Sequence, residues 1–181
     1  MRKVLVLVGT TVVAGLLLAW AARVFGGTSA VFAFLVVWVP MVWLGTVSRV
    51  ARPRLPGSYH DLRAFEVSGR LYELLGVRVA KRLLRRGPFA VFNPDLHLPS
   101  EHTPEKLAHL DQRMRDAEVS HVILLIATLV VVVNAAAHRW WTAAILTLLF
   151  DVLVNGYPVM LQRYNRALLQ RRHPTLPRHP N

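Results

Sequence analysis

Glu118, His121, Asn155, Gln162, Arg163 and Arg166 are the residues of this sequence whose types and spacing suit joint chemistry. Glu118 and His121 are three apart, so on a helix they share a face. An imidazole beside a carboxylate gains basicity and a fixed tautomer, the two properties needed to take a proton from a hydroxyl. The same pair also arises at helix starts for capping reasons alone, and by itself it does not choose between the two readings. Asn155, Gln162 and Arg166 are spaced seven and then four, which lines them along one helical stripe. Pro158 has no amide proton, so it frees the carbonyl of Val154 and loosens the helix beside Asn155.

The elements that must position these residues are membrane helices. Of the 181 residues, 54% are hydrophobic and 18% charged, and the apolar residues run together. Four stretches reach the roughly 20 residues a spanning helix needs: 4–22, 29–47, 119–137 and 140–161. Short connections join them into two hairpins. The fold class that follows is an all-α membrane protein with four transmembrane helices and a basic amphipathic cytoplasmic region between spans 2 and 3. The predicted divisions are a first hairpin over 1–48, a cytoplasmic loop over 49–117, a second hairpin carrying the polar site over 118–166, and a basic disordered tail over 167–181. Of the 22 lysines and arginines, all but Arg23 and Arg139 fall in the start, the long loop or the tail. An even number of spans puts those three on one side, and the charge bias makes that side cytoplasmic. The expected location is the plasma membrane, multi-pass, with both termini inside. A cleaved signal peptide is the competing reading of the first span. It would strand the long loop or the tail against the charge rule.

At about 1.5 Å per residue, His121 lies roughly 5 Å and Asn155 roughly 12 Å inside the cytoplasmic boundary. Antiparallel neighbours can then bring Glu118, His121, Asn155 and Gln162 around one inner-leaflet pocket, with Arg163 and Arg166 at its mouth. Asp151 lies one turn deeper, where a carboxylate must be paired, protonated or hydrated. It either extends the pocket or bonds to Asn134 or the backbone.

In the loop, residues 65–87 interleave Leu71, Leu74, Leu75, Val79, Leu83 and Leu84 with six basic residues. That pattern predicts a basic amphipathic helix at the headgroups, with Gly76 as a candidate break. Such a helix can hold an enzyme's working face at lipid level or simply anchor the loop. Glu66 and Glu73, seven apart, share a face if the helix is continuous, and internal salt bridges are their simplest use. His60, His97, His102 and His109 lack ligand spacing, so no metal site is expected. The absence of cysteine excludes disulfides and thiolate nucleophiles. A net charge of +12 without any nucleic-acid-binding motif points to anionic headgroups rather than nucleic acid.

Three stretches carry a family resemblance: FEVSGRLYELLGVRVAK with Phe65, Glu66, Gly69, Arg70 and Lys81; AEVSH with Ala117, Glu118 and His121; and NGYPVMLQRYNR, above all its QRYNR. With these the chain resembles the glycosyl-4,4'-diaponeurosporenoate acyltransferases of the staphyloxanthin-type carotenoid pathway. It departs from them after Lys81, where LLRRGP replaces a short Asp-Gly turn. The resemblance implies transfer of a fatty acyl group from an acyl-CoA co-substrate, with no other cofactor, to a hydroxyl of a membrane-embedded glycolipid or glycosylated carotenoid. On that footing His121, oriented by Glu118, is the base, and Asn155 or Gln162 donates to the oxyanion. Arg163, Arg166 and Lys81 hold donor phosphates. Tyr164, Asn165, Glu66 and Glu73 complete the substrate contacts. The rival classes are a non-enzymatic lipid-binding scaffold or accessory subunit, whose polar groups would pair only among themselves, and an ion or proton path through Asp151, Asn134, Asn155 and His121.

Overall fold

A computed structural model of the chain describes residues 2–51, 53–86 and 103–173. His97, His102 and the tail from 174 onward lie outside the described residues. Every described element is a helix, with no strand among the described residues. Four helices are long and apolar enough to cross a membrane: Arg2–Phe25, Ala30–Ser48, Pro104–Ala137 and Trp141–Arg172. The predicted all-α membrane class with four spans is what the structure has. The chain divides into two compact units, Met1–Pro53 with Ser120–Gly156, and Arg54–Val119 with Tyr157–Asn181.

In the first unit, α1 (Arg2–Phe25) and α2 (Ala30–Ala51) form a hairpin. It turns at Gly26, whose φ of 82° suits glycine, and α2 opens where the Ser29 hydroxyl accepts the Phe32 N–H at 3.1 Å. A second hairpin joins α7 (Pro104–Ala137) to α8 (Trp141–Asp151), with Arg139 at a φ of 60° and the Trp140 N–H on the Ala135 carbonyl at 2.9 Å. Helix α2 packs on α8, and Phe34 meets Phe150 edge to face at 5.4 Å. Ala33, Ala143, Ala144 and Thr147 are buried, the small residues that let helix backbones approach in lipid. Val130, Val133 and Ile145 are each more than 60% exposed, an apolar surface ordinary against acyl chains and untenable in water.

The second unit holds α3 (Gly57–His60), α4 (Ala64–Val67), α5 (Arg70–Leu74), α6 (Val77–Arg86), the first turns of α7, and α9 (Tyr157–Arg172). The predicted amphipathic helix over 65–87 is therefore several pieces. Gly76 breaks it as the sequence suggested, and Gly69 breaks it once more, with φ of 76° and 69° respectively. Glu66 and Glu73 consequently lose their common helical face. One apolar cluster joins Tyr72 and Val77 to Leu161 and Tyr164, and another joins Leu107, Leu110 and Met114 to Leu169.

Two boundaries differ from the sequence reading. Helix α7 starts at Pro104 rather than near Glu118, because Thr103-Pro104 supplies a helix start and α7's polar turns are laced by Arg115–Asp111 and Gln112–Asp116 pairs. Helix α9 continues to Arg172, through residues assigned to the tail, because Ala167 and Leu169 are buried.

Gly69 illustrates a close approach. A methyl at its α-carbon would stand 3.2 Å from the Tyr164 ring and 3.2 Å from Arg171 Nη2, at a φ of 69°. The backbone penalty alone is about 1–2 kcal/mol, before any shift of the tyrosine. Gly69→Ala should lower the melting temperature measured in detergent micelles. An unchanged melting curve would contradict this packing.

Candidate functional site

The polar residues singled out from the sequence sort into two arrangements. The first lies in the second unit and is a buried charge cluster. Helix α4 presents Glu66, whose Oε2 accepts the Arg63 N–H at 2.7 Å. Arg163 grips that carboxylate in a fork, Nε to Oε1 at 2.6 Å and Nη2 to Oε2 at 2.7 Å. Its Nη1 reaches Glu118 Oε1 at 2.8 Å and the Tyr59 carbonyl at 3.1 Å, while Nη2 also reaches the Asp61 carbonyl at 3.2 Å. A guanidinium has five N–H donors, and each of Arg163's is taken.

Arg166, fully buried, donates from Nη1 to Glu118 Oε2 at 2.7 Å and from Nη2 to the His60 carbonyl. Its Nε lies 3.4 Å from Asp111 Oδ1, an ion-pair distance without hydrogen-bond alignment. His60 Nδ1 stands 3.4 Å from Glu118 Oε2. Tyr72 donates its hydroxyl to Glu66 Oε1. These bonds correct the expectation that Arg163 and Arg166 stand at a pocket mouth and grip donor phosphates. Two buried carboxylates required counter-charges, and the arginines of QRYNR supply them.

Electrostatics outside the spans follow from this pairing. Burial alone would raise the Glu66 carboxyl, but bonds from Arg163, Tyr72 and the Arg63 amide outweigh it and hold the pKa at about 2, against an ordinary 4.5. Burial, then the bond to Glu66, pushes the Tyr72 phenol upward. A depressed carboxyl stabilises the fold above its unfolded pKa and loses that contribution as pH falls through the folded value. Stability should thus decline between pH 4.5 and about 2, and Glu66→Gln should flatten that limb of the acid-unfolding curve. An identical limb in the variant would contradict the assignment.

On the flank of this cluster, Tyr164 donates to Glu73 Oε1 at 3.0 Å, and Arg78 lies 3.5 Å from the same carboxylate. Glu73 therefore has the internal partner the sequence suggested. Lys81 Nζ donates to Asn165 Oδ1 at 2.5 Å and sits 5.9 Å from the centre of the Tyr164 ring. Gln162 is half-buried on α9.

The second arrangement lies in the first unit. Val152–Gly156 forms a π-helical segment between α8 and α9, just ahead of Pro158. The loosening expected from the missing proline N–H takes this form, and such π segments recur at functional sites. It carries Asn155, fully buried, whose Oδ1 stands 3.1 Å from His121 Nδ1. Asn155 Nδ2 donates to Asp151 Oδ1 at 2.7 Å. Of the two readings the sequence left open for Asp151, this bond fits the one in which it extends the polar group at Asn155. The His121 ring hydrogen-bonds to the Asn155 oxygen, and Glu118 belongs to the charge cluster. The predicted orientation of His121 by Glu118 is corrected accordingly: spacing on one helix does not show what reaches each side chain from elsewhere in the chain.

Sequence reasoning also missed Tyr59, Asp61 and Asp111, which join the cluster through two backbone carbonyls and one carboxylate. Only Asp111 carried a signal, standing four residues before Arg115 on a helix. An open apolar groove of about 270 Å³ between α1 and α2, lined by Leu17, Trp38 and Trp43 among others, includes none of the predicted site residues. Among the described residues no cluster of potential metal ligands occurs.

Comparison with known proteins adds one finding. The family model for glycosyl-4,4'-diaponeurosporenoate acyltransferase matches residues 56–173. Nothing among the curated proteins or the solved structures matches significantly.

Proposed function

The chain belongs to the glycosyl-4,4'-diaponeurosporenoate acyltransferase family and is an acyltransferase, and from that premise we propose how it works. The acyl group comes from a thioester donor of the acyl-CoA type and goes to a sugar hydroxyl of a glycosylated, membrane-embedded acceptor. The reaction takes place at the cytoplasmic leaflet of the plasma membrane, with both termini inside, the orientation favoured by the lysine and arginine distribution. Phe65, Leu74, Val79 and Leu83 are all more than half exposed beside Arg70, Arg78 and Arg82, which suits α4–α6 to rest against anionic headgroups.

One observation carries the mechanism: Asn155 faces His121 Nδ1 with its oxygen at 3.1 Å, so Nε2 is the ring nitrogen left to act. His121 Nε2 takes the hydroxyl proton as the oxygen attacks the acyl carbonyl. The tetrahedral intermediate collapses with loss of the thiolate, which takes the proton back from the imidazolium. With no cysteine in the chain, direct transfer is favoured over a covalent acyl-enzyme. Asn155 orients the ring. Lys81, Gln162, Tyr164 and Asn165 are the second unit's own candidates for contact with substrate, and Glu66, Glu73, Glu118, Arg163 and Arg166 hold the fold of that unit. The acyl chain and the acceptor's apolar tail stay in lipid.

Lipid and pigment profiling of cells with and without the intact protein should reveal one acylated glycoconjugate that disappears with it. Unchanged profiles, in cells that make the glycosylated precursor, would sink the proposed acceptor class.

A further inference from the structure

We propose that Asp151 is a positioning residue for acyl transfer: it sets which end of the Asn155 amide faces His121, and so which ring nitrogen of His121 stays unprotonated. The inference rests on the reading of His121 as the base.

Asp151 is fully buried in the last turn of α8, in an apolar span. Among the described residues no cation pairs with it, and its Oδ2 has no hydrogen-bond partner. A carboxylate so placed is costly to keep, and ionisable groups at such depth usually mark function. Its Oδ1 accepts from Asn155 Nδ2 at 2.7 Å, four residues on and across the π segment, and the buried Thr128 hydroxyl also interacts with the carboxyl group.

The two ends of an asparagine amide have nearly the same shape, so packing hardly distinguishes one orientation from its flipped counterpart. A carboxyl group keeps at least one oxygen that only accepts hydrogen bonds, and Asp151 Oδ1 takes that place toward Asn155 Nδ2 at 2.7 Å. Asn155 must therefore turn its NH₂ toward Asp151, which leaves its carbonyl oxygen toward His121, where it stands 3.1 Å from Nδ1. That oxygen also only accepts, so Nδ1 carries the proton and Nε2 keeps its lone pair. Without Asp151 the amide is free to flip, and a flipped Asn155 would offer N–H to Nδ1 and select the opposite tautomer. Such a histidine has no lone pair at Nε2 to receive a proton.

The test uses the full chain in lipid vesicles with ¹⁵N-labelled histidine, the His121 signals being identified by their absence in His121→Ala. Wild type should show Nδ1 protonated and Nε2 unprotonated. Asp151→Asn keeps the size of the side chain but can donate as well as accept, so the opposite tautomer should appear and kcat should fall at least about tenfold with KM little changed. Asp151→Ala, which removes the acceptor altogether, should give the same mixture and serves should the asparagine variant fold poorly. A wild-type tautomer in both variants would overturn the inference, whatever their rates. Failure of the base reading is seen separately, as acyl transfer persisting in His121→Ala.

Discussion

His121→Ala should lower acyl transfer by about 10²–10⁴-fold, the range a positioned general base contributes. The expectation follows from chemistry that nothing else in the arrangement replaces. Asn155 has no basic nitrogen, and Asp151 is fully buried behind it. The loss should appear in kcat, because the imidazole is needed when the proton leaves the hydroxyl and contributes little to holding either substrate. His121 is only half-buried, so alanine leaves the chain folded and inserted. His121→Gln makes a useful companion: it can hydrogen-bond Asn155 but cannot accept a proton at neutral pH, and it should be as inactive as alanine. Product formed per folded molecule, measured in isolated membranes, gives the comparison. Glutamine restoring the rate would mean that His121 acts by hydrogen bonding alone.

Glu118→Ala should be the most destabilising single change in the second unit, by about 3–5 kcal/mol. Its carboxylate receives Arg163 Nη1 at 2.8 Å and Arg166 Nη1 at 2.7 Å, with His60 at 3.4 Å, and it is fully buried. Removing it leaves two guanidinium groups dry, with one counter-charge gone. Glu118→Leu combined with Arg166→Leu should cost much less than the sum of the two single changes, since taking out both partners leaves no orphaned charge. Thermal unfolding of the purified variants in detergent checks both statements. Additive losses would show that the two side chains do not act as a pair.

How much of this was legible beforehand depends on the range over which each feature is encoded. The spans were, because a run of apolar residues such as 29–47 can be satisfied only in lipid or deep in a core. The loosening beside Asn155 was, because Pro158 lacks an N–H wherever it sits; that it would take π form was not. The break at Gly69 was missed since a glycine in an amphipathic pattern is only weak evidence against a helix, and the close Tyr164 ring that makes it necessary lies far along the chain. The roles of Arg163 and Glu118 were misread for a related reason. Their pairing joins residues 45 apart in sequence, and Glu66 lies 97 from Arg163, separations at which helical periodicity says nothing. Two carboxylates and two arginines could equally be read as a substrate grip until the partners were seen to use up the donors.

On the proposed mechanism this chain makes the ester unaided, with His121 accepting the proton. The measurement that meets it most directly is the initial rate of ester formation by the purified chain in lipid vesicles supplied with acyl-CoA and a glycosylated polyene acceptor, followed by mass spectrometry. Wild type should form the acylated product with no other protein present, and folded His121→Ala should form almost none. Equal rates from the two proteins would contradict the account.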